Sequence, residues 1–340
     1  MGERGIGIDD CAEPRLYGVD LARVSEFKYL GVWLAENGRW EVHWSRIQAK
    51  ARSAANLIRR FCGVLQLPVK WVVIFVKLIL IPILFYGVPV WAPPEGFAAV
   101  DSMVAAPVAR ALALPWNVGR GAVLFEVGLL PGEIFWELVC LKVCVRLVRR
   151  HGNPASMMLD ERGRGRPWES DVCCKGGNMG AIVKSLEGEW GVNVRSVSME
   201  RLVKLAFLKG KKFLVGAGVS SRVQLCRVGY GRGMPRYFML PRKMAGAVAR
   251  FRFGYGPDRV SLGRRGVGGG LEMLCRWGCE VDEDADHLLL RCPELGFVTH
   301  ALWHLNSIEY VFGDKVPLES WDSVGKVLRD VCEKCTEVDE

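Results

Sequence analysis

Four soft ligands stand close together late in the chain. In CRWGCEVDEDADHLLLRC, Cys275, Cys279, His287 and Cys292 follow the spacing Cys-x3-Cys-x7-His-x4-Cys. Thiolate and imidazole suit the borderline-soft zinc ion, and four protein ligands complete a tetrahedron. Such a site is structural, because no position stays open to activate a water. Gly278, just before Cys279, permits a tight turn from which two cysteines grip one side. The other pair is harder to close. Five residues of α-helix turn about 500°, which leaves His287 and Cys292 about 140° apart. The chain is therefore expected to leave the helix near Cys292, and Pro293 biases residue 292 away from helical angles. Asp284 or Asp286 is placed to cap the start of HLLLR. Leu288, Leu289 and Leu290 offer an apolar anchor. The competing reading is chance, since twelve cysteines can leave four unrelated buried residues at these distances. Cys332-x2-Cys335 and Cys173-Cys174 are weaker signals.

The surroundings of this cluster are split by charge. Residues 222–265 hold eleven Lys or Arg against one acid, Asp258, whereas residues 280–340 hold fifteen acids and five bases. Arginines in the basic block are interleaved with Tyr230, Tyr237, Phe238, Phe251, Phe253 and Tyr255. Such a pattern can pair with phosphates while the rings stack on bases. The alternative is a solvated face over a small core. The acids at 282–286 either offset the basic block or tune partner choice.

The chain as a whole has 340 residues and a formal charge of +9, which favours a polyanionic partner. Half of the residues are hydrophobic, enough to bury a sizeable core. The opening MGERGIGIDDCAEP has no apolar run, so neither a secretory signal nor a disulfide framework is expected, and an intracellular, reducing site (nuclear or cytoplasmic) is. The stretch from Trp71 to Trp91 is the one apolar run that invites a membrane reading. Lys77, Pro82 and Pro89 interrupt it, and Leu78 to Gly87 is about half the ~20 residues a span needs. A buried core helix is expected there, with no membrane partner.

The elements that must position the cluster read as mainly α with a short β element at the N-terminus. RLYGVDLARVSEFKYLGVWLAENGRW alternates like short strands, with Asn37-Gly38 as a turn. Trp40, Trp44, Ile47, Ala51, Ala54, Ile58 and Phe61 step by three and four along one helix face, and Gly63 is placed to stop that helix. Further helices are expected near 69–86, 98–114, 133–150 and 181–215, and the Gly-rich 151–180 reads as a linker.

These pieces resemble a family. FKYLGVWLAENGRWEVHWSRIQAKARSAANLI is similar to the segment after the palm in reverse transcriptases of LINE-type (non-LTR) retrotransposons. ILIPILFYGVPVW, with Pro82, Tyr86, Gly87 and Trp91, is similar to the family's thumb motif, and RFRFGYGPDRV before the CCHC knuckle resembles its C-terminal region. The resemblance covers residues 16–100 and 248–295. It implies that residues 1–39 end the palm, 40–150 form a helical thumb-like bundle, 151–180 a linker, 181–271 a basic connector, 272–296 the zinc knuckle and 297–340 an acidic tail. It also implies that Phe27, Lys28, Tyr29, Leu30 and Gly31 help position a primer strand. RNA and DNA are the implied partners, with contacts from Arg46, Lys50, Arg250, Arg252, Arg259, Arg264 and Arg265.

Polymerase chemistry uses two divalent metals held by aspartates. Asp9-Asp10 lies only 18 residues before Lys28, too close for the family's paired-aspartate box. The expectation is therefore a C-terminal piece of such a polymerase, with no catalytic residue of its own, structural zinc, and magnesium only in an intact enzyme that supplies the polymerase and endonuclease domains. A standalone zinc-knuckle protein that binds nucleic acid is the alternative, and a membrane-associated protein using residues 71–91 is a third reading.

Overall fold

The computed structural model is mostly helical and begins with short antiparallel strands. It describes residues 15–17, 19–20, 22, 24–88, 90–93, 95–149, 179–227, 230–231, 233–266, 273–305, 311–313, 316 and 318–339. Asp9-Asp10, Cys173-Cys174 and nearly all of the 151–180 linker lie outside them.

Strands β1 (Arg15–Leu16) and β2 (Val19–Asp20) pair, as do β3 (Glu26–Tyr29) and β4 (Val32–Ala35). Leu30 and Gly31 turn the second hairpin with φ of 45° and 86°. Two left-handed residues make the turn whose twist suits a hairpin, and leucine is a costly occupant of the first place. Tyr86 supports it from 56 positions away: its hydroxyl donates to the Leu30 carbonyl at 2.8 Å. A Cβ on Gly31 would lie 2.8 Å from the Tyr86 ring, so only glycine fits.

Helix α1 (Glu41–Val64) buries Trp44, Ile47, Ala51 and Ile58, as its periodicity predicts. Phe61 stays half exposed and Cys62 takes the buried place. Gly63 does not end the helix. The stop comes three residues later, where Gln66 adopts φ of 48° and Leu67 N–H donates to the Cys62 carbonyl at 3.1 Å. That six-to-one bond satisfies an orphan carbonyl of the last turn. The His43 imidazole of α1 accepts the Trp33 N–H of β4 at 3.2 Å, and burial lowers its pKa to about 4, keeping it neutral.

The apolar segment folds as α2 (Val69–Phe75), a π-turn at Val76–Leu80, and α3 (Ile81–Leu84). Ile81 N–H donates to the Val76 carbonyl, five residues back. Pro82 explains the widening: a regular turn would drive its ring into the carbonyl four residues before it. Val69, Val72, Val76, Leu80 and Leu84 are buried in the core. Among the described residues no helix is long and apolar enough to cross a membrane.

Helices α4 (Ala98–Ala111), α5 (Arg120–Val127) and α6 (Gly132–Val148) follow. Asp101 of α4 accepts the Gly132 N–H at 2.7 Å and so caps α6. Ile134, Leu138 and Leu141 of α6 then join Leu186 and Trp190 of α7 (Met179–Trp190) and Leu202 and Ala206 of α8 (Met199–Gly216) in a small core of their own. The composition break at 151–180 therefore does not divide the cores, because helices from both sides of it pack together.

The main core combines α1 to α5 with α9 (Ser221–Cys226), α10 (Arg242–Phe253), the Cys/His segment and α12 (Leu318–Asp339). Between α10 and the Cys/His segment lies the short α11 (Arg259–Arg264). Residues 297–340 thus include more than a tail: Trp321, Val324, Leu328, Val331 and Cys335 are buried on one face of α12, against α10. The aromatics of the basic block are mostly core as well. Tyr237, Phe238 and Phe251 have no exposed surface, so they have no face on which a base could stack.

Candidate metal centre

The cluster is built on a small antiparallel turn. Leu274 and Asp282 bridge, Cys275 N–H donates to the Val281 carbonyl at 2.9 Å, and Glu283 N–H donates to the Met273 carbonyl at 2.7 Å. Gly278 has φ of 84° and its N–H reaches the Cys275 carbonyl at 3.1 Å, the turn its position predicts. Asp284 starts the following helix, its carboxylate accepting the His287 N–H at 2.7 Å. Of the two candidate caps, Asp284 is the one used.

The splay between His287 and Cys292 is removed by a device that α-helical arithmetic misses. Residues His287–Arg291 form a π-turn, and Cys292 N–H donates to the His287 carbonyl at 2.7 Å. A five-residue hydrogen-bond loop is wider than an α-turn and brings residue 292 back over residue 287. Cys292 is itself extended, with ψ of 115°, as Pro293 favours.

As a result, one ligand atom from each of Cys275, Cys279, His287 and Cys292 lies within 4.8 Å of every other. The Cys275 and Cys292 sulfurs are 4.0 Å apart. A tetrahedral ion with metal–sulfur bonds of about 2.3 Å holds its sulfurs about 3.8 Å apart. His287 Nε2 is buried and has no hydrogen-bond partner among the described residues. Burial, with Cys275 and Cys279 alongside, pushes the Cys292 thiol up to about 12, while the Leu295 and Glu294 N–H groups pull it down. A dication among three sulfurs supplies the positive charge that a buried thiolate needs. The donor set can hold a metal ion, and its four protein donors suffice for a tetrahedral shell.

A charged latch fixes this lobe. Arg276 and Glu283, both without exposed side-chain surface, pair at 2.7 Å. Arg276 also donates to the Pro257 carbonyl at 2.7 Å and the Cys335 carbonyl at 2.8 Å. Glu283 accepts the Arg259 N–H at 3.1 Å. Two acids of the 282–286 run, Glu283 and Asp284, therefore work inside the lobe. Leu288, Leu289 and Leu295 anchor it in the main core.

No protein-family model, curated protein or solved structure matches the chain. Its chemistry is therefore read from its own geometry.

The expected nucleic-acid residues fall into separate groups. Phe27, Tyr29 and Leu30 are 56%, 59% and 76% exposed, and Lys28 is exposed beside them, while Gly31 sits under Tyr86. Arg46 pairs with Glu26 at 2.7 Å and lies over the Trp33 ring, and Lys50 is exposed further along α1. Arg250 and Arg265 line a cleft of about 530 Å³ together with Arg242, Lys243 and Arg329. Arg264 is exposed outside that cleft, and Arg259 Nη1 donates to the Leu274 carbonyl at 3.0 Å. No hairpin residue lines the cleft.

Arg252 must be removed from the set. It has no exposed surface, and it forms an ion pair with Glu126 at 2.9 Å; Tyr237 donates to the same carboxylate at 2.8 Å. Arg252 also donates to the Phe312 carbonyl. A guanidinium held this way belongs to the core, and its burial is tolerated because its partner is fixed. Sequence reasoning missed Arg242 and Lys243 as a pair with Arg250. Their spacing of one, seven and eight along α10 was the available signal. Nothing in the sequence announced the Arg276–Glu283 latch.

Proposed function

We propose that this chain is the nucleic-acid-gripping part of a LINE-type reverse transcriptase, comprising thumb-like helices, a basic connector and a knuckle that holds structural zinc. RNA and DNA are its partners, and it has no catalytic aspartates of its own. The observation that carries this reading is the convergence of Cys275, Cys279, His287 and Cys292, with His287 Nε2 otherwise unpartnered. Three sulfurs and one imidazole at near-tetrahedral separations favour zinc over oxygen-seeking cations. The contact of Tyr86 with the Leu30–Gly31 turn adds support, because it joins two of the three sequence motifs on which the resemblance rests.

The whole chain, purified with zinc, tests this. Elemental analysis is expected to give about one zinc per chain. Fluorescence anisotropy is expected to show a template–primer duplex bound with affinity that falls steeply as salt rises. Primer extension with magnesium and nucleotides is expected to give no product. Nucleotide incorporation, or no binding to either RNA or DNA at low salt, would refute the proposal.

A further inference from the structure

The cleft beside the metal lobe is lined by five cations and one acid, Glu333, so positive charge is in excess there. Of its five cations, Arg329 pairs with Asp330 at 2.7 Å and approaches Glu333 at 3.8 Å. Among the described residues the other four form no ion pair with a carboxylate. Arg242 donates to the Cys62 carbonyl at 3.1 Å, and Arg265 to the Ser261 and Gly256 carbonyls at 2.9 and 3.0 Å. Arg250 meets the Cys332 thiol, while its Nε is buried without a hydrogen-bond partner. Lys243 makes no hydrogen bond or ion pair among the described residues.

Helix geometry sharpens the imbalance. α10 begins at Arg242, has no acid in its first turn, and receives no side-chain cap from Pro241. A helix N-terminus favours anions and disfavours cations, yet Arg242 and Lys243 both sit there. Arg250, two turns on, faces the same cleft. Gly246 lies between them, and a Cβ there would meet the Leu112 carbonyl at 3.1 Å, so the helix packs closely on the chain beside Ala113, which lines the cleft. Clefts of this size with low-dielectric walls concentrate an oppositely charged ligand, and guanidinium forks match phosphate oxygens.

We propose that this cleft, between α10, the Tyr255–Pro257 segment and α12, is a binding site for neighbouring phosphate groups. In the functional reading given above, on which this step rests, they are consecutive phosphates of an RNA or DNA backbone. A free polyphosphate offers the same chemistry.

The test uses the full metal-loaded chain, with bound metal measured before and after. Calorimetry follows inorganic tripolyphosphate, and anisotropy follows a fluorescein-labelled single-stranded RNA. Lys243→Glu removes a cation that makes no internal contact, and Arg264→Glu applies the same charge change outside the cleft. Lys243→Glu is expected to weaken both ligands at least about tenfold and to lower the salt slope of RNA binding by about one. Arg264→Glu is expected to stay within about twofold. If Lys243→Glu does not fold, Lys243→Gln gives the same comparison with a weakening of about threefold. Tripolyphosphate bound through Lys243 with no RNA binding upholds the cleft and removes the nucleic-acid reading. RNA binding equally sensitive to both substitutions overturns the cleft and leaves that reading standing. Failure of both ligands to bind overturns the cleft as well.

Discussion

Two π-turns lie ahead of two prolines in this chain, and they end differently. After Val76–Leu80 the helix resumes, and Ile81, directly before Pro82, keeps helical angles with φ of −60° and ψ of −46°. After His287–Arg291 the chain leaves the helix, and Cys292, directly before Pro293, is extended. A residue before proline is biased away from the helical region. In the first case buried side chains on both sides, Val76, Leu80 and Leu84, hold the helix against that bias. In the second the bias is obeyed, and the released residue is one of the four candidate metal ligands. The same local conflict is absorbed as packing in one place and used to aim a thiol in the other.

The comparison can be broken by substitution. The largest effect is expected from Arg276→Met, which leaves Glu283 buried and alone; urea denaturation should show a loss of about 3–5 kcal/mol. Among the described residues no buried ion pair holds the first π-turn. Cys292→Ser comes next. Elemental analysis should find less than half the bound metal of the parent chain, and the thermal midpoint should fall, because the fourth bond and its share of folding energy go together. Pro293→Ala keeps all four ligands but relaxes the extended angle at Cys292, and a competition assay with a chromogenic chelator should report roughly tenfold weaker metal binding. Pro82→Ala is the matched control. It restores a helical N–H in a segment already packed as helix, so stability should hold or rise by about 1 kcal/mol with metal affinity unchanged. A drop in metal affinity with Pro82→Ala would dissolve the contrast. Asp284→Ala, the smallest, removes a cap worth about 1 kcal/mol from the metal lobe alone.

How much of this was legible depended on how local each feature is. The face of α1, the turn at Gly278 and the extended residue before Pro293 are set by neighbours in sequence, and each was readable. The stop of α1 was not, because it rests on Gln66 accepting a left-handed angle that glycine usually takes. The four ligands could be named from their spacing, but not the π-turn that aligns two of them, since helical arithmetic admits only one turn width. Tyr237 and Phe251 looked like stacking surfaces because their sequence neighbours are arginines. Tyr237 packs on Trp321 and Phe251 stacks on Phe312, partners far along the chain, and periodicity does not reach that far. Arg252 was misplaced for the same reason, as Glu126 precedes it by 126 positions.

The Arg276 latch also orders events in time. Its guanidinium needs carbonyls from residue 257 and from residue 335 together with the Glu283 carboxylate. During synthesis the two hairpins, α1 and Tyr86 have emerged long before the ribosome reaches α12. Those first elements can settle early. The four donors are all out once residue 292 is, but the loop that carries them stays unfastened until the closing helix arrives, so the donors can gather before they are locked.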